Sequence, residues 1–425
     1  MMSLAGWISE GILQLLNRSV LISGMGLMVN LLAVKWIGLY EYGIFIGAFS
    51  VILFFERLLK SEIKSYLVKF DVHLHQSKFD AVYSFLVKAN FLAMTIIVFI
   101  GVLIRFTDSY KLYSSPLLLL SVSVPLAVLT EIPRAILERE LRFKLIGDQE
   151  LLASMLQHVL TIIVILIYRS FLGLIIGWLA YNLMIFVLSW YKVSYKPVLR
   201  LGVNTNKDLH IHYRHMGLQV VLSESYKLIN PFIIGGWVGP AGVGTIGLIE
   251  KLIFGLNFIG NVFKRVFNGL LNDLQEKAEQ KINALGDFEL YFALIISSLL
   301  FILGLFYKNF YWVIDDSLYI NNLFGLIAGS YIIVQLSELY QLPLVLDKKY
   351  EIITKQQVIY ISCLLLSSLL FINMFGLIGY GYAVLLSSTS KIYLFRKYHD
   401  HFNLKIPAKV SIIVGVSAFI MIAWM

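Results

Sequence analysis

Charge is scarce in this sequence. Asp, Glu, Lys and Arg make up 14% of the 425 residues, where a soluble globular chain carries about 25%. With 59% hydrophobic residues and a mean hydropathy of +0.79, such a chain cannot cover its surface with water-binding groups, and its solvent is lipid. Cysteine is nearly missing too. Cys363 stands alone inside an apolar run, which excludes an internal disulfide and reads as a packing residue. Residues Met1 to Glu10 lack a basic n-region, and no small-residue cleavage site follows the first apolar run. That run therefore reads as an uncleaved first span. No Gly-x-x-x-x-Gly-Lys-Ser/Thr loop is present, so the chain is not expected to use ATP itself. Gly242-Val243-Gly244-Thr245-Ile246-Gly247 matches the spacing of a dinucleotide loop, but no strand precedes it. His73 and His75, and His210, His212 and His215, read as solvated loop residues. No metal or cofactor is expected.

Long apolar runs supply what is present. They lie near 12–37, 39–59, 81–104, 116–137, 146–168, 171–191, 216–237, 240–262, 287–307, 320–346, 357–375 and 379–395. Each approaches the roughly 20 residues that a helical crossing needs. The run 410–425 is short for a crossing and leaves a partial thirteenth span open. The expected fold is an all-α membrane protein of about twelve transmembrane helices. Its expected parts are an N-terminal six-helix lobe (1–191), a basic cytoplasmic linker (192–215), a C-terminal six-helix lobe (216–395) and a tail segment (396–425).

Lys and Arg fall unevenly between alternate loops, roughly 24 against 4, and the poor set holds only Arg105, Lys111, Arg169 and Lys308. The positive-inside rule places the rich set and the N-terminus in the cytoplasm. The net charge of +9 is thus a topological signal next to anionic headgroups, and nucleic acid is not an expected partner. The outer loops are short, which argues against polymerases and ligases that work through large external domains.

The halves repeat. Trp36-Ile37-Gly38-Leu39-Tyr40-Glu41-Tyr42-Gly43 and Trp237-Val238-Gly239-Pro240-Ala241-Gly242-Val243-Gly244 occupy equivalent outer hairpins about 201 residues apart. Pro133 leads into Leu137-Glu138-Arg139 as Pro343 leads into Leu346-Asp347-Lys348. Six helices per repeat give both halves the same orientation, with a pseudo-two-fold axis along the membrane normal and a substrate site expected between them.

Charged residues inside spans cost about 2.5–3.5 kcal/mol each on insertion scales and normally face a cavity or a bundle interior. The basic ones are Arg18, Lys88, Arg134, Lys227 and Lys251, and the acidic ones Glu56, Glu131, Glu224, Glu250 and Glu338. Glu131 with Arg134, and Glu224 with Lys227, are three apart and can pair locally on one helix. In the eighth span Glu250, Asn257, Asn261, Lys264 and Asn268 fall within a stripe of roughly 60°. The stripe fits a wet interior surface, although interhelical hydrogen bonding would leave the same pattern. Glu56, Glu224, Glu250 and Glu338 are the candidates for ion coupling.

With those residues in view, the chain resembles the Wzx-type polysaccharide flippases, relatives of the multidrug and toxin extrusion transporters and of the lipid II flippases. Ile132-Pro133-Arg134-Ala135-Ile136-Leu137-Glu138-Arg139-Glu140-Leu141-Arg142-Phe143-Lys144 is similar to the P-x-A-x-L-x-R-x-L-x-F segment after the fourth helix in one branch. Gly38 through Gly43 resembles that family's L-G-x-x-x-Y-G turn. The resemblance implies a V-shaped, two-lobed bundle in the bacterial inner membrane, working by alternating access. The implied cargo is an oligosaccharide on a polyprenyl pyrophosphate, received by a basic cavity. Arg18, Lys227, Lys251, Asn257, Asn261, Lys264 and Arg265 are the cavity candidates. Implied partners are that lipid-linked cargo, membrane lipids, and polysaccharide polymerase or assembly proteins. A drug antiporter of the same fold is the competing reading and would favour acidic cavity residues. A membrane-embedded transferase would need a catalytic carboxylate or histidine cluster, and no convincing one is seen.

Overall fold

The computed structural model describes residues 4–60, 63–68, 70, 72, 74–199, 217, 220–255, 295–300, 302, 318–346 and 350–391. The described residues are helical with short connections. They divide into two compact units, 1–244 and 245–425.

The first unit opens with α1 (Leu4–Lys60), two helices run together across Gly38, whose φ of 78° breaks the helical path. Only glycine reaches that region without a Cβ penalty. The first two expected spans are therefore a helical pair hinged at this residue. Tyr42, fully buried, closes the turn by donating its hydroxyl to Asn30 Oδ1 at 2.9 Å. Then come α2 (Ile63–Leu67), α3 (Gln76–Ile104), α4 (Lys111–Leu120), α5 (Ser123–Leu129), α6 (Glu131–Arg139), α7 (Phe143–Tyr168) and α8 (Leu172–Tyr191).

The fourth span, expected as one helix over 116–137, is three pieces. Its breaks follow from proline, which lacks an N–H and whose ring clashes with the carbonyl four residues back. For Pro125 that carbonyl belongs to Ser121, and for Pro133 to Leu129. The breaks fall at 121–122 and at Thr130. After α8 the chain continues without regular secondary structure over 193–199 within the same unit. Tyr195 is buried beside Phe79 and Trp190 and donates its hydroxyl to Asp80 at 2.7 Å. The Val198 amide donates to the same carboxylate oxygen at 3.2 Å, and Asp80 is fully buried.

The seventh span is irregular. A 3₁₀ turn over Ser225–Leu228 leads into a π-helical turn over Asn230–Ile234, then the single turn α9 (Gly235–Trp237). α10 (Pro240–Phe254) follows and carries the boundary between the units. The seventh span belongs with the first unit, where the Tyr110 hydroxyl donates to the Phe232 carbonyl at 2.7 Å. The second unit holds α11 (Leu318–Leu346), α12 (Tyr350–Phe375) and α13 (Leu377–Thr389).

Burial is inverted relative to a water-soluble protein. Asp80, Asn90, Gln149, Asn182 and Gln356 are buried, whereas Phe91, Phe99, Ile167 and Leu366 are 62–76% exposed. Apolar side chains on the outside and polar ones on the inside fit a lipid solvent. Six described helices are long and apolar enough to cross a membrane: 21–60, 76–104, 111–139, 143–168, 172–191 and 351–375.

Candidate functional site

Two polar clusters lie within the helical bundles, one in each unit. In the first, Glu56 on α1 is 3% exposed and accepts a hydrogen bond from Ser123 Oγ of α5 at 3.1 Å. Lys60, one turn further along α1, places Nζ 3.6 Å from Glu56 and 3.9 Å from Glu131 of α6. Arg134 of α6 reaches across to Glu150 of α7 at 2.9 Å. Tyr181 of α8 lies within electrostatic reach of Arg134, Glu150, Glu56 and Glu131.

The expected local pair of Glu131 and Arg134 does not form. Glu131 turns to Lys60, and Arg134 turns to Glu150. α6 packs against both α2 and α7, and a carboxylate on the neighbouring helix offers Arg134 a charge-assisted bond at full hydrogen-bonding distance. Nothing in the sequence spacing relates Arg134 to Glu150, sixteen residues away.

The second expected pair is formed. Lys227 and Glu224 make an ion pair, and both are half-buried. The pair sits at the 3₁₀ turn of the seventh span, where helical hydrogen bonding changes register. Lys227 is thus a cation inside a span with one carboxylate beside it. Arg18 lies on α1, and its side chain is outside the described residues.

In the second unit, Glu250 on α10 is half-buried and accepts a hydrogen bond from the Tyr380 hydroxyl at 3.1 Å. Lys251, the next residue, is exposed. Adjacent helical positions lie about 100° apart, so the two present different faces. Tyr360 of α12 is within electrostatic reach of Glu250 and Glu338 and hydrogen-bonds Ser387. The Nζ of Lys391, itself 4% exposed, stands 4.6 Å above the Tyr360 ring. Glu338 is half-buried on α11. The ion-coupling candidates thus separate into Glu56 in the first cluster, Glu250 and Glu338 in the second, and Glu224 in its pair with Lys227. Asn257, Asn261, Lys264, Arg265 and Asn268 lie outside the described residues.

Sequence reasoning missed Glu150, Tyr181, Tyr360, Tyr380 and Lys391. Lys391 falls near the end of the apolar run 379–395, where a cation ordinarily marks the approach to a loop. The tyrosines carry no local charge signal. Among the described residues no group of three or more His, Cys, Asp or Glu is arranged to hold a metal ion. What the clusters can do is hold paired charge in a low-dielectric layer and exchange partners when a charged species arrives.

Residues 36–308 match the polysaccharide biosynthesis protein family. The chain belongs to that family. The match spans both outer hairpins, the P-R-A-I-L-E-R segment and the basic linker. No curated protein matches the chain by sequence. Among solved structures it is similar to "Lipid II flippase MurJ, inward closed conformation", with a TM-score of 0.77, 14% identity, and coverage of 97% of this chain and 92% of that one. It is also similar to an inward-facing multidrug resistance MATE family transporter of the MOP superfamily, with a TM-score of 0.63, 14% identity, and coverage of 92% and 94%. A MOP superfamily transporter from Pyrococcus furiosus, described as having reversed binding-pocket polarity, gives a TM-score of 0.56 at 14% identity, covering 93% and 96%. The fold is therefore similar to that of these solved structures, and the described residues are helical in two compact units. The protein is a multi-pass membrane protein of the polysaccharide biosynthesis family.

Proposed function

We propose that this protein moves polyprenyl-pyrophosphate-linked oligosaccharide units from the cytoplasmic to the outer leaflet of the bacterial inner membrane, for surface polysaccharide assembly. The N-terminus is cytoplasmic on the Lys and Arg count, and the chain performs no covalent chemistry. The observation that carries the reading is the family match over 36–308 in a chain with the whole MOP fold. The in-span cation Lys227 supports it, because a cation held there is costly unless an anion offsets it. Glu224 neutralises Lys227 when the cavity is empty and yields it when pyrophosphate arrives. Arg18, at the equivalent early stretch of the first span, supplies a planar fork suited to bidentate phosphate binding. Lys251, Asn257, Asn261, Lys264 and Arg265 extend the same cavity. An inside-negative potential favours outward movement of an anion, by about 2.3 kcal/mol per charge per 100 mV where the full field is crossed.

The MATE likeness keeps an ion-coupled multidrug antiporter as the second reading, and one experiment separates the two. Arg18→Ala and Lys227→Ala are expected to abolish surface polysaccharide at normal membrane levels of protein, and Arg18→Lys to give a partial defect. A drug antiporter would tolerate loss of these cations and be disabled by loss of Glu250 or Glu338. Normal polysaccharide export by both alanine variants would exclude the cationic site.

A further inference from the structure

α1 after Gly38 and α10 from Pro240 approach each other through glycine. A methyl group on Gly43 would overlap the Pro240 carbonyl oxygen and stand 2.8 Å from the Gly244 nitrogen. One on Gly244 would overlap the Leu39 carbonyl oxygen and stand 3.0 Å from the Gly43 nitrogen. The contacts are reciprocal. Gly43 and Gly244, like Leu39 and Pro240, are 201 residues apart, which is the offset of the repeat. Gly38 and Gly239, the two turn residues with φ of 78° and 86°, have the same offset. This backbone crossing thus falls on the internal symmetry of the chain.

Two tyrosines of the fourth span extend this contact. Tyr113 lies between Gly47 of α1 and Gly235 of α9, so that a methyl group at either glycine would strike its ring. The Tyr110 hydroxyl packs over Gly236 and bonds the Phe232 carbonyl. Segment 235–244 is therefore held to the first unit by backbone contact, and the hydroxyl bond at Phe232 ties down the π turn that leads into it. A glycine crossing lets backbones meet without interlocking rotamers, so it can part and re-form without repacking. Just before this segment, the 3₁₀ and π turns over 225–234 and Pro231 interrupt the helix. Such interruptions are where helices bend.

We propose that the Gly43–Gly244 crossing is the outer latch of the transport cycle. Segment 235–244 closes the side that bears the Gly38 and Gly239 turns, and it swings away about the 225–234 interruption to release cargo. The inference rests on the transporter reading above. Its test uses the full chain in a Cys363→Ser background with Ala48→Cys as reporter, at a site 1% exposed behind the crossing. Gly43→Ala or Gly244→Ala wedges the crossing. Labelling of position 48 by an impermeant maleimide on intact cells is expected to rise several-fold, and export to fall. Tyr110→Phe removes one hydroxyl bond and adds no volume, and is expected to raise labelling to a smaller degree. Unchanged labelling in the glycine variants at normal membrane levels overturns the latch. If the glycine variants fail to accumulate, Tyr110→Phe decides: higher labelling supports the latch and unchanged labelling overturns it. Labelling is read without reference to cargo. A normal labelling response in cells whose polysaccharide does not depend on the protein supports the latch and counts against the lipid-linked cargo.

Discussion

Glu56→Ala removes the most deeply buried carboxylate among the coupling candidates, and its cost can be built from the geometry. Ser123 Oγ loses its acceptor at 3.1 Å, which for a bond to a charged group costs about 1.5–3 kcal/mol. Lys60 loses a partner at 3.6 Å but keeps Glu131 at 3.9 Å and is 27% exposed, so its charge is not stranded and that loss stays below about 1 kcal/mol. The vacated side-chain volume adds about 1 kcal/mol. Together Glu56→Ala is expected to cost about 3 kcal/mol, summed from these three contributions. Glu56→Gln keeps the volume and an acceptor for Ser123, and is expected to cost only about 1 kcal/mol or less. Thermal denaturation of the purified protein in detergent, with both variants beside the parent, reads the difference. If Glu56 couples an ion, the Gln variant folds nearly normally and still loses export. Equal destabilisation by Gln and Ala would refute the reasoning, because the charge and not the Ser123 bond would then carry the stability. An Ala variant as stable as the parent would refute it as well.

Asp80→Ala strands the Tyr195 hydroxyl and the Val198 amide inside a buried site, and is expected to lower the melting temperature more than Tyr195→Phe, which leaves Asp80 the Val198 amide. A double-mutant cycle in detergent checks the coupling, and additive effects would mean that Asp80 does not hold the start of the linker. Thiol-accessibility scanning over 250–268 is expected to peak every 3.6 residues or so, at Asn257, Asn261 and Lys264. Flat, low accessibility would mean that the stripe is packed between helices.

Much of the fold could be read from chain chemistry because its signals are local. The apolar windows 146–168 and 171–191 became helices at 143–168 and 172–191, since lipid demands unbroken apolar length. Gly38 ended the first span where the W-I-G-L-Y-E-Y-G turn placed it. The breaks in the fourth span were readable from Pro125 and Pro133 but were passed over, because hydropathy averages across them. The Glu224–Lys227 pair was legible because its partners are three residues apart. Arg134 was not, because its partner Glu150 is chosen by the packing of α6 on α7. Lys391 was missed for a related reason. A cation near the end of an apolar run has the same sequence signature whether it points to water or folds back over a ring such as Tyr360. Spacing along one helix fixes neighbours on that helix only.

The repeat therefore divides by kind of constraint. At the hairpins both halves keep glycine at matching positions, 38 with 239 and 43 with 244. A backbone crossing is reciprocal, so a side chain added to either partner breaks the same contact. Further along the spans the halves part company. Glu56 and Lys60 align with Asn257 and Asn261 at the 201-residue offset, and Glu131 aligns with Gln341 when Pro133 is set on Pro343. At these three positions a charge in the first half stands opposite an amide in the second. Steric closure needs both copies of a residue, whereas charges in a low-dielectric layer need not occupy matching positions, and those of the second unit, Glu250, Glu338 and Lys391, lie elsewhere in the repeat. On this view the charge of the first cluster, Glu56 above all, is where the two lobes were free to take different roles. Restoring symmetry would test that: Glu56→Asn with Lys60→Asn makes the first half resemble the second and removes one charge of each sign. A folded protein that still exports would mean that the network is structural filling. A folded protein that no longer exports would place the coupling function in the first lobe.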